Sequence, residues 1–332
     1  MSDRALDDQL VKYLADAHSI EEQALIQLRL APKIAGDERL AAIFSEHLEE
    51  TERQKRLVDE RLGAHGGDPS RIKDLVMKAG GAGFALFAAT QPDTPGKLTA
   101  HAYSYEHLEL ASCELLGRVA ERAGDRETAE VARRIRDEER AMGERLAACF
   151  DEAVAASLRG QKAGDLREQL TKYLADAHAI EAQAIQLLSK GADIVKEPEL
   201  ARAFSDHLEE TRRQQELVAG RLRALDGSPS RIKDAAMRLG ALNWGGFFAA
   251  QPDTPGKLAA FAYAFEHLEI AGYEELRRVA QRAADPETVE VADRILLEER
   301  AAAERIASLF DRAVEASLEE AGVTVGGVSA PG

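Results

Sequence analysis

Residues 10–24 read LVKYLADAHSIEEQA, and residues 170–184 read LTKYLADAHAIEAQA. The same offset of 160 positions carries QPDTPGKL from 91–98 to 251–258, and sets YSYEHLELAS at 103–112 against YAFEHLEIAG at 263–272. A constant offset across three landmarks leaves little room for large insertions, so the chain reads as a tandem duplication of one unit. The first unit spans 1–158 and the second 165–322, joined by the polar, glycine-containing LRGQKAGD at 158–165. VTVGGVSAPG at 323–332 lacks helical periodicity and reads as a flexible tail.

Within a unit the apolar residues recur at helical spacing, alanine, leucine, glutamate and arginine dominate, and no strand pattern competes. The spacing predicts long helices over about 5–30, 37–63, 95–123 and 126–158, and a shorter one over about 70–89. Pro32, HGGDPS at 65–70 and QPDTPG at 91–96 break them. Thr94 followed by Pro95 suits a cap and a first helical position. The expected fold class is all-α, two tandem four-helix bundles with an extra short helix in each.

Composition narrows the function. With 43 basic and 59 acidic residues the formal net charge is −16, which repels phosphate backbones and argues against a nucleic-acid partner. MSDRALDDQL at the start is charged, so no signal peptide is expected, and AGGAGFALFAAT at 79–90 is too short to span a bilayer. Two cysteines, Cys113 and Cys149, face Tyr273 and Leu309 at the offset and read as packing residues. No disulfide framework is expected, and the expected setting is cytoplasmic.

The duplication also sorts the polar residues. Of eight histidines, His65 and His101 meet Leu225 and Phe261 at the offset, whereas His18, His47 and His107 meet His178, His207 and His267. On the first helix, Leu10, Leu14, Ala17, Ala24 and Leu28 form an apolar stripe that Glu21 interrupts. On the second, Leu40, Phe44, Thr51, Val58 and Leu62 flank His47, with Glu50 about 60° around from it at ~100° per residue. Glu109 interrupts the third stripe, with Glu106 one turn earlier, and Glu139 interrupts the fourth, so Glu21, Glu50, Glu109 and Glu139 are each expected to face the shared interior. The copies are Glu181, His207, Glu210, Glu266, Glu269 and Glu299. His107 lies about 200° from Glu109 and reads as a packing residue against the short helix or a domain interface. His18 reads as a bundle-surface residue.

Isolated charges buried in this way cost more than a domain's net stability. Protons, arginine or lysine partners, or divalent metal must neutralise them. One acidic interruption per helix, in four helices and both repeats, favours metal, and no basic residue interrupts the same stripes. Helix-borne glutamates with an (i, i+3) Glu/His pair are the ligand types of a carboxylate-bridged dimetal centre. Hard oxygen donors with one imidazole suit iron or manganese, and the lack of sulfur donors argues against structural zinc or an iron–sulfur cluster.

LADAHSIEEQ, FSEHLEET, EHLELAS and DEERAMGERL resemble the YciE/YciF-type stress-protein family of ferritin-like, rubrerythrin-like bundles, over most of each repeat. The resemblance implies a ferritin-like bundle with a di-iron or related site, manganese being the other candidate. It implies ligands at Glu21, His47, Glu50, Glu106, Glu109 and Glu139, and at Glu181, His207, Glu210, Glu266, Glu269 and Glu299. The second helix departs from the usual pattern by reading His-x-x-Glu rather than Glu-x-x-His, and the fourth offers no histidine. The expected activity is reaction with O2 or peroxide in a stress response, as ferroxidase or peroxide scavenger. The repeats are expected to pack as an intramolecular pseudo-dimer. The alternatives are a metal-free helical stress or scaffold protein, or a binding module whose TVGG-containing tail resembles the loading peptides of encapsulated ferritin-like cargo.

Overall fold

The computed structural model describes residues 2–68, 94–159, 162, 165–227 and 254–323. In the first repeat these are α1 (Ser2–Leu28), a single turn α2 (Ala31–Ile34), α3 (Glu38–Ala64), α4 (Thr94–Ala123), α5 (Arg126–Ala147) and α6 (Phe150–Ser157). The second repeat gives α7 (Leu166–Ile194), α8 (Pro198–Ala224), α9 (Thr254–Arg282), α10 (Pro286–Ser308) and α11 (Phe310–Glu320). No strand occurs among the described residues, so the chain is all-α, two tandem helical bundles. The short helix expected over 70–89, and all but the first residue of the tail, lie outside the described residues.

The expected first and fourth helices each divide. Leu28 ends α1, and Pro32 at the start of α2 explains the break, since it cannot donate to the preceding turn. The fourth helix stops at Ala147 and resumes at Phe150, which lets α6 turn onto α4 and onto α9 of the other repeat. Side-chain caps hold the main registers: Asp37 accepts from the amides of Arg39 and Leu40 at the start of α3, and Asp125 accepts from Thr128 at the start of α5. Gly124, at φ +73°, makes the left-handed turn into α5.

The interior of the first repeat is not one continuous apolar core. Leu10, Leu14, Val58, Leu62, Val119 and Ile135 cluster at one end. Leu28, Phe44, Leu98, Ala102, Met142 and Leu146 cluster at the other. Between them every long helix carries a buried polar residue: Glu21 on α1, His47 and Thr51 on α3, Glu106 and Glu109 on α4, and Glu139 on α5. The stripe interruptions thus lie at one level of the bundle.

Contacts between the repeats run through α4 and α9, and they are reciprocal. Lys97 pairs with Asp176 at 3.1 Å, and Lys257 with Asp16 at 3.0 Å. Ser104 donates to the carbonyl of Ala264 at 2.7 Å, linking two positions that match at the offset. His107 stacks on His267 beside this bond.

Candidate metal centre

His47 and Glu50 share one face of α3, as their spacing requires, with His47 Nδ1 3.1 Å from Glu50 Oε2. The other ring nitrogen points across the bundle. His47 Nε2 lies 3.0 Å from Glu106 on α4 and 3.7 Å from Glu139 on α5. Thr51, one turn on, donates its hydroxyl to the His47 carbonyl at 3.0 Å, which keeps that polar side chain satisfied inside the bundle. His47, Glu106, Glu109 and Glu139 are all buried, and one donor atom from each lies within 4.8 Å of the others.

The second repeat rebuilds the arrangement. His207 Nε2 is 2.7 Å from Glu266 and 3.4 Å from Glu299, and His207 Nδ1 is 3.0 Å from Glu210. His207, Glu266, Glu269 and Glu299 form the matching group of four.

The remaining predicted residues take two different places. Glu21 and Glu181 are buried in the same layer, close enough to feel the charges of the clusters, but outside the groups of four. Glu50 and Glu210 stand at the rim, about a quarter exposed, where Arg145 and Arg305 donate to them at 2.5 Å. The basic partners that the stripes did not contain therefore come from the outer edge of α5 and α10. Arg145 and Arg305 match at the 160 offset, the same filter that singled out His47, so the signal was present in the sequence.

Electrostatics follow from burial. Desolvation pushes the Glu21 carboxyl up to about 8 and Glu299 likewise to about 8. It also drives Glu109, Glu139, Glu181 and Glu269 well above the usual carboxyl range, with neighbouring glutamates adding to the effect. Burial alone would lower the His47 imidazole, but Glu106, Glu50 and Glu139 outweigh it and raise it well above its ordinary value. Glu50 goes the other way: its bond to His47, reinforced by Arg145, draws it down to about 2.

The donor chemistry fits a divalent cation. Among the described residues, both carboxylate oxygens of Glu109 and Glu269 are buried without a partner, and Glu139 and Glu299 have only the long approaches of His47 and His207, at 3.7 and 3.4 Å. Buried polar atoms are ordinarily paired, so these oxygens, at two matching places, are open to protons or to a cation.

Three further residues bear on the site. His18 is buried rather than at the bundle surface, held by Asp59 at 2.6 Å, a partner on α3 that its own helix could not reveal. Cys113 is buried near Glu21, Glu139 and Glu109, and burial pushes its thiol well up. Tyr273 occupies the matching position in the second repeat and donates its hydroxyl to Glu181. The two centres thus share their inner residues and differ just outside them.

Fold and site together define a class: a tandem helical bundle with a buried glutamate–histidine cluster, able to hold metal, in each repeat. The chain belongs to the family described as Domain of unknown function (DUF892), which matches residues 5–159 and again 165–319. It is 28% identical over 149 residues to Protein YciF of Escherichia coli (strain K12), an alignment covering 42% of this chain and 87% of that protein. This accords with the YciE/YciF-type resemblance. No solved structure matches the chain. No helix among the described residues is long and apolar enough to cross a membrane.

Proposed function

We propose that each repeat is a ferritin-like dimetal-carboxylate centre, di-iron with manganese as the alternative, acting on dioxygen or peroxide as a ferroxidase or scavenger in stress. The observation that carries this reading is the pair of buried His/Glu clusters, in which the Glu109 and Glu269 carboxylates have no partner among the described residues. Glu109, Glu139, Glu106 and His47 would hold the metal, with Glu21 within reach, and their copies would do so in the second repeat. When bound, an iron pair supplies one-electron and two-electron exchange with oxygen species. The protein's own part is to fix the donors and exclude water. Glu50, anchored by Arg145, holds the His47 ring through Nδ1 and leaves Nε2 turned toward the cluster. The flanking leucine-rich clusters keep the layer dry.

The reading extends to the assembly of the chain: the two repeats act as an intramolecular pseudo-dimer, supported by the reciprocal Lys97–Asp176 and Lys257–Asp16 pairs. The test is metal content after purification without added metal. Near-stoichiometric iron or manganese, lost when Glu109→Ala is combined with Glu269→Ala, supports the proposal.

A second reading has one observation of its own. A raised His47 imidazolium beside protonated glutamates can neutralise the layer without metal, as in a helical stress or scaffold protein. Protein that takes up neither metal, in wild type and variant alike, selects it.

A further inference from the structure

Although the inner residues repeat, the space beside them does not. In the first repeat a cavity of about 20 Å³, room for one water-sized molecule, lies among Leu28, Phe44, Leu98, His101 and Tyr105, and its wall includes Glu106. The matching recess in the second repeat, among Leu188, Phe204 and Leu258, has no room for such a molecule. One substitution bears directly on the difference. Ala31 is replaced by Gly191, and a Cβ there would stand 2.9 Å from Cδ2 of Phe204, so this ring occupies space that Ala31 denies to Phe44. His101 and Tyr105, 6.2 Å apart on the cavity wall, are replaced by Phe261 and Phe265, which are 6.4 Å apart and are not among the described residues that line the second recess.

The cavity wall suits an uncharged guest. Burial pushes the His101 imidazole down to about 4, so it is neutral at physiological pH. Tyr105 donates its hydroxyl to the carbonyl of Ile20 at 3.0 Å, and its ring faces the cavity wall. Among the described lining residues Glu106 is the sole acid, and it belongs to the candidate metal group.

We propose that the two repeats have diverged in access: the first keeps a small-molecule cavity beside Glu106 that admits dioxygen-sized uncharged molecules, and the second has closed it with the Phe204 ring seated against Gly191. Its role in oxygen chemistry rests on the metal reading above; the asymmetry itself does not. The second centre is tightened elsewhere too, since Tyr273 fills the place of the smaller Cys113 and ties down Glu181.

The experiment uses the full chain freed of metal, with labelled leucine methyl groups, under raised oxygen pressure. Dissolved dioxygen is paramagnetic and broadens the methyl signals it visits. Leu28 and Leu98 are 5% and 3% exposed, Leu188 and Leu258 both 2%, so surface collisions contribute little and almost equally. The expected result is oxygen broadening at Leu28 and Leu98 severalfold above that at Leu188 and Leu258. Ala31→Gly, the residue the second repeat already has, frees space for the Phe44 ring and should remove the excess, and Gly191→Ala should displace the Phe204 ring and raise broadening at Leu258. Equal broadening in the two repeats, or an excess that survives the closing substitution, overturns the proposal. Because no metal is present, failure here is separate from failure to find iron or manganese in the purified protein.

Discussion

The imidazoles of His107 and His267 lie face to face between the repeats, with ring centroids 3.6 Å apart and planes inclined by 15°. Each Nδ1–H donates to the carbonyl one turn earlier, Tyr103 and Tyr263, at 2.7 Å. Burial keeps both rings neutral, His107 down to about 4 and His267 well below its usual value, and only neutral rings can stack without repulsion. A double-mutant cycle with His107→Ala and His267→Ala, read by urea unfolding, should return a coupling of roughly 0.5–1.5 kcal/mol. Additive single effects would show that the contact carries no energy of its own.

Glu139 and Glu299 should trade stability for metal. Each is buried, and its carboxylate has only a long approach from the cluster histidine, at 3.7 and 3.4 Å. In chelator at pH 8, Glu139→Gln with Glu299→Gln should raise unfolding stability by roughly 1–3 kcal/mol per site, the usual penalty of a buried unsatisfied group. The same substitutions should abolish metal uptake. Loss of stability instead would mean that His47 and His207 already compensate these carboxylates.

Stability of the metal-free protein should fall as pH rises from 6.5 to 8. Glu21 and Glu299 are raised from 4.5 to about 8, so the folded state holds protons that the unfolded chain has released; that contribution is full below 4.5 and lost as pH approaches 8. The raised His47 acts with the same sign above its unfolded value of 6.5. His101, His107 and His267 are lowered and act oppositely, but the unfolded histidines lose their protons around 6.5, so this effect fades across the lower half of the window. Metal should flatten or reverse the slope and release protons on binding, measurable by calorimetry in two buffers.

Ala284 adopts φ +54°, where the first repeat has Gly124 at +73°. A side chain in the left-handed region costs about 1 kcal/mol, so Ala284→Gly should raise the unfolding free energy by about that amount, less the added entropy of the unfolded chain. No change in the thermal midpoint would show that the turn before α10 is unstrained.

Much of this protein was legible along the chain. The constant offset gave the duplication, helical periodicity gave the long helices, and the stripes picked out Glu21, Glu109 and Glu139, which lie in one buried layer with His47, whereas Glu50, expected inside with them, stands at the rim. These are regularities of single helices, and a helix displays its faces in its own sequence. What one helix presents to another is not written there. The bond from Arg145 to Glu50, the burial of His18 against Asp59 and the His107–His267 stack each join positions far apart in the chain. Their existence depends on how helices dock, and so does the cavity beside Glu106, because a void belongs to no residue and arises only from the packing of several.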